Sequence, residues 1–211
     1  MQKLIWLAVL TTTIFLSANC KNKPLKPTTS INTNDSLNTV LLKAKAVQAK
    51  VFCEQKKMNS SFCLLANMKV HSGKARFYIW DFKQDKAIDS GLVSHGCGSA
   101  PWGVATTKEK AVFSNVDGSH CSSLGKYKIG ERGHSDWGIH VKYLLHGLEK
   151  SNNNALKRFI VLHSWSQVTD YPLYPDGTVE SWGCPAVSDA FMKKMDEKLK
   201  EETTPVLLWM F

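Results

Sequence analysis

The chain has 211 residues, which is enough for one domain of ordinary size with appendages. Its 27 Lys and Arg residues outnumber 18 Asp and Glu residues, so the formal net charge is +9 at pH 7. A basic chain can bind anionic lipid, nucleic acid or an acidic wall polymer, and the charge alone does not distinguish these partners.

The first 19 residues have the composition of an export signal. Lys3 supplies a positive charge, and residues 4–16 are almost entirely apolar residues and threonine, a run too short to cross a bilayer. The small residues before Cys20 resemble the lipobox of bacterial lipoproteins. We therefore expect Cys20 to be lipidated and the protein to be a membrane-anchored lipoprotein of the cell envelope or periplasm. Because Asn19 is unusual at the last lipobox position, secretion with an unmodified Cys20 is the alternative. Export makes nucleic acid the poorest partner.

Residues 20–36 are rich in Lys, Pro, Ser, Thr and Asn, which is the composition of a flexible tether. We expect the folded domain to occupy residues 37–211 and to begin with an amphipathic helix over 37–52, for which Asp35 or Ser36 is the candidate N-cap. The residues that fall on one face of this helix are Leu37, Leu41, Ala44, Gln48 and Val51.

Short strand-like runs separated by Gly, Asp and Ser fill most of the remaining chain. They predict a mainly β (α+β) fold with flanking helices. The predicted strands are residues 63–70, 75–82, 87–95, 125–130, 139–145, 158–163 and 205–210. A closing helix over residues 189–200 is predicted before the last strand, with Ser188 or Asp189 as its cap.

Six cysteines suit an oxidising compartment, where thiol pairs persist as disulfides. They are Cys20, Cys53, Cys63, Cys97, Cys121 and Cys184. The sequence has no C-x-x-C unit, which argues against a zinc ribbon or a thioredoxin-like site.

One cysteine has the surroundings of a nucleophile. Cys184 lies in the stretch SWGCPAV at residues 181–187, with Gly183 before it and a predicted helix after it. Backbone N–H groups exposed at such a turn favour a thiolate and can hold an oxyanion. A thiol also needs a base, usually histidine, and His163 ends a predicted strand 17 residues before Ser181.

This order, a histidine followed by Ser-x-Gly-Cys, resembles the L,D-transpeptidase catalytic domain of the YkuD type. The main branch of that family has Ser-His-Gly-Cys, and the sequence is closer to a divergent branch of murein L,D-transpeptidase proteins that has Ser-Trp-Gly-Cys-Pro-Ala. The resemblance covers about residues 62–211. The other stretches that carry it are residues 93–99, 113–125, 146–149 and 152–163.

The resemblance implies a β-sandwich or barrel with an N-terminal helix and a helix after the catalytic cysteine. It implies that Cys184 is the nucleophile, His163 its base and Ser181 a residue that orients the loop. The backbone N–H groups of Gly183 and Cys184 would be the donors. The expected substrate is the peptidoglycan stem peptide, and no cofactor is required. Cys184 would attack the carbonyl of the third stem residue, normally diaminopimelate, expel D-Ala and form a thioester.

An amine from a second stem would then give a 3-3 crosslink, whereas water would make the enzyme an L,D-carboxypeptidase. A wall-binding lipoprotein without turnover is the alternative from a different class. We expect Trp182, Ser164, His95 and His120 to contact the substrate.

A second motif, SHGC at residues 94–97, makes Cys97 an alternative nucleophile. Within the family pattern Cys97 and Cys121 occupy positions where other residues are usual, so we expect them to form one disulfide, and Cys53 and Cys63 another. A zinc site formed by His95, His120, Cys97 and Cys121 is an alternative that oxidation in the envelope disfavours.

Overall fold

A computed structural model describes residues 33–211, which form two helices and eight strands. In chain order these are α1 (Thr33–Lys56), β1 (Phe62–Ala66), β2 (Phe77–Asp81), β3 (Lys86–Gly91), β4 (Gly125–His134), β5 (Val141–Gly147), β6 (Val161–Ser164), β7 (Ala186–Val187), α2 (Asp189–Leu199) and β8 (Leu207–Met210). The predicted signal, Cys20 and the tether up to residue 32 lie outside the described residues, whereas residues 33–36 begin α1. Neither helix has the length and apolar character needed to span a membrane.

All eight strands belong to one mixed sheet with the order β3-β2-β1-β8-β4-β5-β6-β7. The pairs β1–β8 and β6–β7 are parallel, and the other neighbours are antiparallel. The mainly β class with flanking helices is therefore confirmed. The short strand β7, which lies between Cys184 and α2, was not predicted. Helix α2 begins where the sequence predicted it, with Ser188 as its N-cap.

The two central strands are buried on both faces, because successive side chains of a strand point to opposite sides. Leu64 of β1 and Leu208 of β8 face a core that α2 closes with Phe191, among others. Leu65 and Trp209 face the opposite core, which α1 covers. The central strands therefore lie between one helix on each side.

Helix α1 buries a different face from the one predicted. Leu37, Leu41 and Val51 are exposed. The buried residues, spaced at helical intervals, are Leu42, Ala46, Ala49 and Cys53. Two alanines in this set allow the helix backbone to approach the large ring of Trp209, which the spacing of the leucines alone did not indicate.

All the cysteines among residues 33–211 are free thiols, so neither predicted disulfide is formed in this structure. Cys53 and Cys63 are fully buried in the core under α1, where a thiol packs as a small apolar side chain. The predicted partners are nevertheless neighbours. Burial raises the pKa of Cys63, and Cys53 adds to this rise. Burial also raises the pKa of Cys97, and Glu180 and Cys121 add smaller contributions.

Two adjacent leucines of α1 test which face packs on the sheet. We expect Leu42→Ala to lower the free energy of unfolding by about 2 to 5 kcal/mol, because it removes a buried side chain. The matched control Leu41→Ala removes an exposed side chain and should cost less than about 1 kcal/mol. Urea unfolding of both variants measures the difference. Equal losses, or a larger loss for Leu41→Ala, would contradict the observed packing.

Candidate active site

Strands β6 and β7 bring His163 and Cys184 together. His163 pairs in register with Ala186, which lies two residues after Cys184. Both side chains line one cleft of about 190 Å³, which we call the tryptophan cleft. Its other lining residues are Trp102, Trp137, Trp165, Ser181 and Trp182.

The sulfur of Cys184 is partly buried and hydrogen-bonded to the backbone. Its Sγ accepts from the Val161 N–H at 3.4 Å, and the thiol donates to the Phe159 carbonyl at 3.7 Å. Burial raises the pKa of Cys184, and the Val161 N–H with the positive charges of Arg158 and Lys142 opposes this rise. The thiol form therefore predominates at neutral pH in the free protein.

His163 is oriented by the carbonyl of its own neighbour. Nδ1 lies 2.9 Å from the Ser164 carbonyl oxygen, and because a carbonyl can only accept, Nδ1 carries the hydrogen and donates it. Nε2 is then the nitrogen that can take a proton. Burial lowers the pKa of His163, so the ring is neutral at pH 7 and has the protonation state of a base.

The turn before Cys184 is fixed by the hydroxyl of Ser181. Ser181 Oγ accepts from the Gly183 N–H at 3.1 Å and donates to the Cys184 carbonyl at 2.6 Å. Gly183 has φ +108°, and a Cβ there would lie 2.7 Å from the Cys121 carbonyl oxygen, so only glycine fits. Since the Gly183 N–H is used within the turn, the Cys184 N–H is the remaining donor of the two expected to hold an oxyanion.

The SHGC stretch at residues 94–97 runs alongside this turn as its backbone partner. Ser181 N–H donates to the His95 carbonyl and Cys97 N–H donates to the Ser181 carbonyl, both at 2.8 Å. Cys97 is buried, lines neither of the two clefts that contain Cys184, and has its pKa raised mainly by burial. Its surroundings are those of a supporting residue, unlike those of Cys184.

Comparison with known families decides the affiliation. The model of the L,D-transpeptidase catalytic domain matches residues 33–209, which is most of the chain. The chain belongs to this family. Members of the L,D-transpeptidase family act on peptidoglycan stem peptides, so the cleft with Cys184 and His163 is the candidate active site of a peptidoglycan-acting domain.

Solved structures of low sequence identity accompany this match. The helical cell shape determining protein Pgp2 from Campylobacter jejuni is 13% identical, with a TM-score of 0.45 over 71% of this chain and 47% of that chain. An L,D-transpeptidase from Xylanimonas cellulosilytica is 12% identical, with a TM-score of 0.38 over 72% of this chain and 60% of that chain. The aligned part therefore spans about half the length of the Pgp2 structure. Comparison with curated protein sequences gives no match.

Two residues expected at the substrate of this L,D-transpeptidase domain are fully buried instead. Ser164 is inaccessible to solvent, and its Oγ accepts a hydrogen bond from the Ile139 N–H at 2.9 Å. Its carbonyl oxygen accepts the hydrogen bond from His163 Nδ1 that orients the histidine ring. His95 is also inaccessible. Its Nδ1 accepts from Arg76 at 2.8 Å, which requires that Nε2 carry the hydrogen donated to Thr107 Oγ1.

A buried charged cluster around His95 was not predicted. Burial, with the charge of Arg76, lowers the pKa of His95 to about 3, so its ring is neutral. Arg76 and Glu180 are both fully buried, and Glu180 accepts from the Thr107 N–H. Because Glu180 immediately precedes Ser181, this cluster fixes the start of the catalytic turn. The sequence signal for it was weak: Arg76 directly precedes the apolar run FYIW, and Glu180 directly precedes the SWGC motif.

Trp182 and His120 do lie at the surface of the site. Trp182 is 60% exposed, and its ring stacks on the His120 ring with centroids 5.4 Å apart. On its other side Trp182 approaches Trp102 at 5.7 Å, and Trp102 stacks on Trp165 at 5.1 Å. The tryptophan cleft is thus lined mainly by aromatic rings from separate loops, and Trp102 and Trp137 were not recognised from the sequence.

The proposed zinc cluster has no counterpart in the described part of the chain. No group of three or more His, Cys, Asp or Glu side chains there is arranged to hold a metal ion.

The protonation state of Cys184 can be tested by alkylation. Because burial raises its pKa, we expect the iodoacetamide reaction of the free enzyme to accelerate with an apparent pKa above the ordinary cysteine value of about 8.5. Cys184→Ala supplies the background from the other thiols. Rapid alkylation at pH 6, with an apparent pKa below the ordinary value, would instead indicate a preformed thiolate and imidazolium pair.

Proposed function

We propose that this chain is an exported peptidoglycan L,D-transpeptidase that works through a thioester on Cys184. One observation supports this most directly: Cys184 and His163 line the same cleft, and the hydrogen on His163 Nδ1 leaves Nε2 able to accept a proton. In this proposal Cys20 carries a lipid anchor. The anchor holds the domain at a membrane, within the cell envelope or periplasm.

Acylation begins when sulfur attacks the carbonyl carbon of the third stem residue. The thiol proton passes to His163 Nε2, and the Cys184 N–H stabilises the oxyanion. The carbon–nitrogen bond then breaks, the nitrogen of D-Ala takes the proton from the imidazolium, and D-Ala leaves. The product is a thioester between the stem peptide and Cys184.

Deacylation uses the same groups in reverse. An amine of a second stem attacks the thioester and loses a proton to His163. The carbon–sulfur bond then breaks, the sulfur takes the proton back from His163, and the 3-3 crosslink is released from the regenerated thiol. Water as the attacking group would give an L,D-carboxypeptidase, the alternative activity of the same site. The apolar, aromatic lining of the tryptophan cleft limits the room for bulk water, which favours transfer to an amine.

Covalent labelling with a carbapenem tests the nucleophile and separates an enzyme from a wall-binding protein. We expect one adduct on Cys184, loss of the adduct in Cys184→Ala, and acylation about 10² to 10⁴-fold slower in His163→Ala, because the general base is removed. Cys97→Ala is the matched control and should be labelled at the wild-type rate. Intact-protein mass spectrometry measures this, and an adduct lost with Cys97 would reject the assignment.

Product analysis tests the acceptor. Purified protein incubated with tetrapeptide muropeptides should yield mainly 3-3 crosslinked dimers, with released D-Ala in equal amount, because an amine accepts the acyl group. Chromatography with mass spectrometry measures both products, and Cys184→Ala sets the blank. Tripeptide monomers without dimers would show that the protein is the L,D-carboxypeptidase.

A further inference from the structure

A second cleft, of about 360 Å³, also reaches Cys184. We call it the Arg158 cleft. Its lining residues, besides Cys184, are Asp117, Gly118, His120, Arg158, Phe159 and Trp182. Trp182 lines both clefts and stands between them, so the nucleophile can be approached from two sides.

Arg158 provides a fixed positive charge in this cleft. Its NH1 donates to the Ser114 carbonyl and to Ser123 Oγ, and its NH2 donates to Ser119 Oγ and to the Cys121 carbonyl. None of these oxygens belongs to a carboxylate, so the hydrogen bonds hold the guanidinium in place without neutralising its charge. That charge acts at the site, since it opposes the rise in the pKa of Cys184.

Asp117 provides the opposite charge in the same cleft. Its carboxylate accepts from the Gly118 N–H at 3.1 Å. It also lies 3.7 Å from Lys157 Nζ, a surface pair with both side chains largely exposed, which contributes little energy. The carboxylate therefore remains available to a ligand that brings a positive group.

The backbone around the cleft is strained. His120 has φ +53° and Phe159 has φ +55°, in a region that non-glycine residues rarely adopt. Such strain concentrates at sites that bind ligands. It also leaves the Phe159 ring 85% exposed beside the cleft, where it offers an apolar wall.

The reaction geometry assigns the two clefts to different parts of the donor. The departing nitrogen must reach His163 for its proton, and His163 lines the tryptophan cleft but not the Arg158 cleft. The leaving residue and the incoming amine therefore occupy the tryptophan cleft. The acyl residue bonded to sulfur must extend to the other side of Trp182.

We propose that the Arg158 cleft binds the side chain of the acyl-donating residue when that side chain ends in both a carboxylate and an ammonium group. The four hydrogen bonds of Arg158 use both hydrogens of each terminal nitrogen, so its Nε–H is the donor left to receive the carboxylate. Asp117 receives the ammonium, and Phe159 covers the aliphatic part. This inference rests on the proposed acylation of Cys184 and adds the residues that determine which third residue is accepted.

Two tetrapeptide donors that differ only in the third residue provide the test. One has diaminopimelate, whose side chain carries both charged groups, and the other has lysine, whose side chain lacks the carboxylate. We expect kcat/KM for D-Ala release to be roughly tenfold to a hundredfold higher for the diaminopimelate donor, the range of charged hydrogen bonds. Turnover of both donors at equal kcat/KM would reject the inference and leave the proposed function intact, whereas no turnover and no carbapenem adduct would reject the function itself.

Variants show whether Arg158 causes the preference. Arg158→Gln should reduce the ratio of the two kcat/KM values to about threefold or less, mainly through the diaminopimelate donor, while Arg158→Lys keeps the charge and most of the ratio. Lys157→Gln removes a neighbouring cation outside the cleft lining and should preserve the ratio. If Arg158 only braced the loop at residues 114–123, both donors would slow together and the ratio would be unchanged, which would reject the inference.

Asp117→Asn tests the other half of the binding site. Because acetylation of the side-chain amine of the diaminopimelate donor also removes the acceptor, D-Ala release is measured in a single turnover, which reports acylation alone. Acetylation should slow this step roughly tenfold in the wild type and by less than about threefold in Asp117→Asn. An equal loss in both proteins would show that Asp117 does not contact the ammonium group.

Discussion

The pairing register between β6 and β7 is the constraint on which the active site depends. In a strand, a slip of one residue moves every side chain to the opposite face, so His163 would leave the cleft. Yet β7 has only two residues and cannot hold this register alone. The segment at residues 93–96 supports it from the other side, through the Val93–Val187 bridge and the 2.8 Å bond from Ser94 N–H to the Ala186 carbonyl.

The same segment connects the active site to a costly interior. Arg76 and Glu180 are fully buried, and Glu180 Oε2 has no hydrogen-bond partner among the described residues. Burial lowers the pKa of Arg76 to about 9, partly offset by Glu180, so Arg76 remains charged at neutral pH. Buried charges of this kind add little net stability, but the geometry they fix is specific. Here it fixes the residue that precedes Ser181.

The features of the fold and the site that the sequence could predict are those determined by residues close together in the chain. The turn at residues 181–184 and the histidine upstream could be proposed as a site because their spacing is a property of the sequence. Most strands were predicted from short strand-like runs between Gly, Asp and Ser, although β7 is too short to produce a pattern. The packed face of α1 was predicted wrongly, because apolar residues occur around the whole helix and the partner surface, which includes Trp209, decides between them.

Residues brought together from distant loops were beyond such reasoning. The tryptophan cleft combines Trp102, Trp137 and Trp182, and no periodicity relates them. His95 was expected at the substrate because it lies in a family-like motif, yet the hydrogen bond with Arg76 holds it in the interior. The motif correctly marked a segment near the site, but a motif does not specify which of its side chains point towards the ligand.

Burial has opposite effects on the two reactive groups, and together these determine how the site works. It raises the pKa of Cys184 and lowers that of His163, so both effects favour the neutral pair over the ion pair. The resting thiol is therefore a weak nucleophile towards arbitrary electrophiles. In the proposed mechanism, proton transfer to His163 becomes favourable only as sulfur bonds to a carbonyl carbon, because the negative charge then moves to an oxygen that the turn can stabilise. This mechanism would tie reactivity to a correctly placed acyl donor, which is the role we propose for the two clefts beside Trp182.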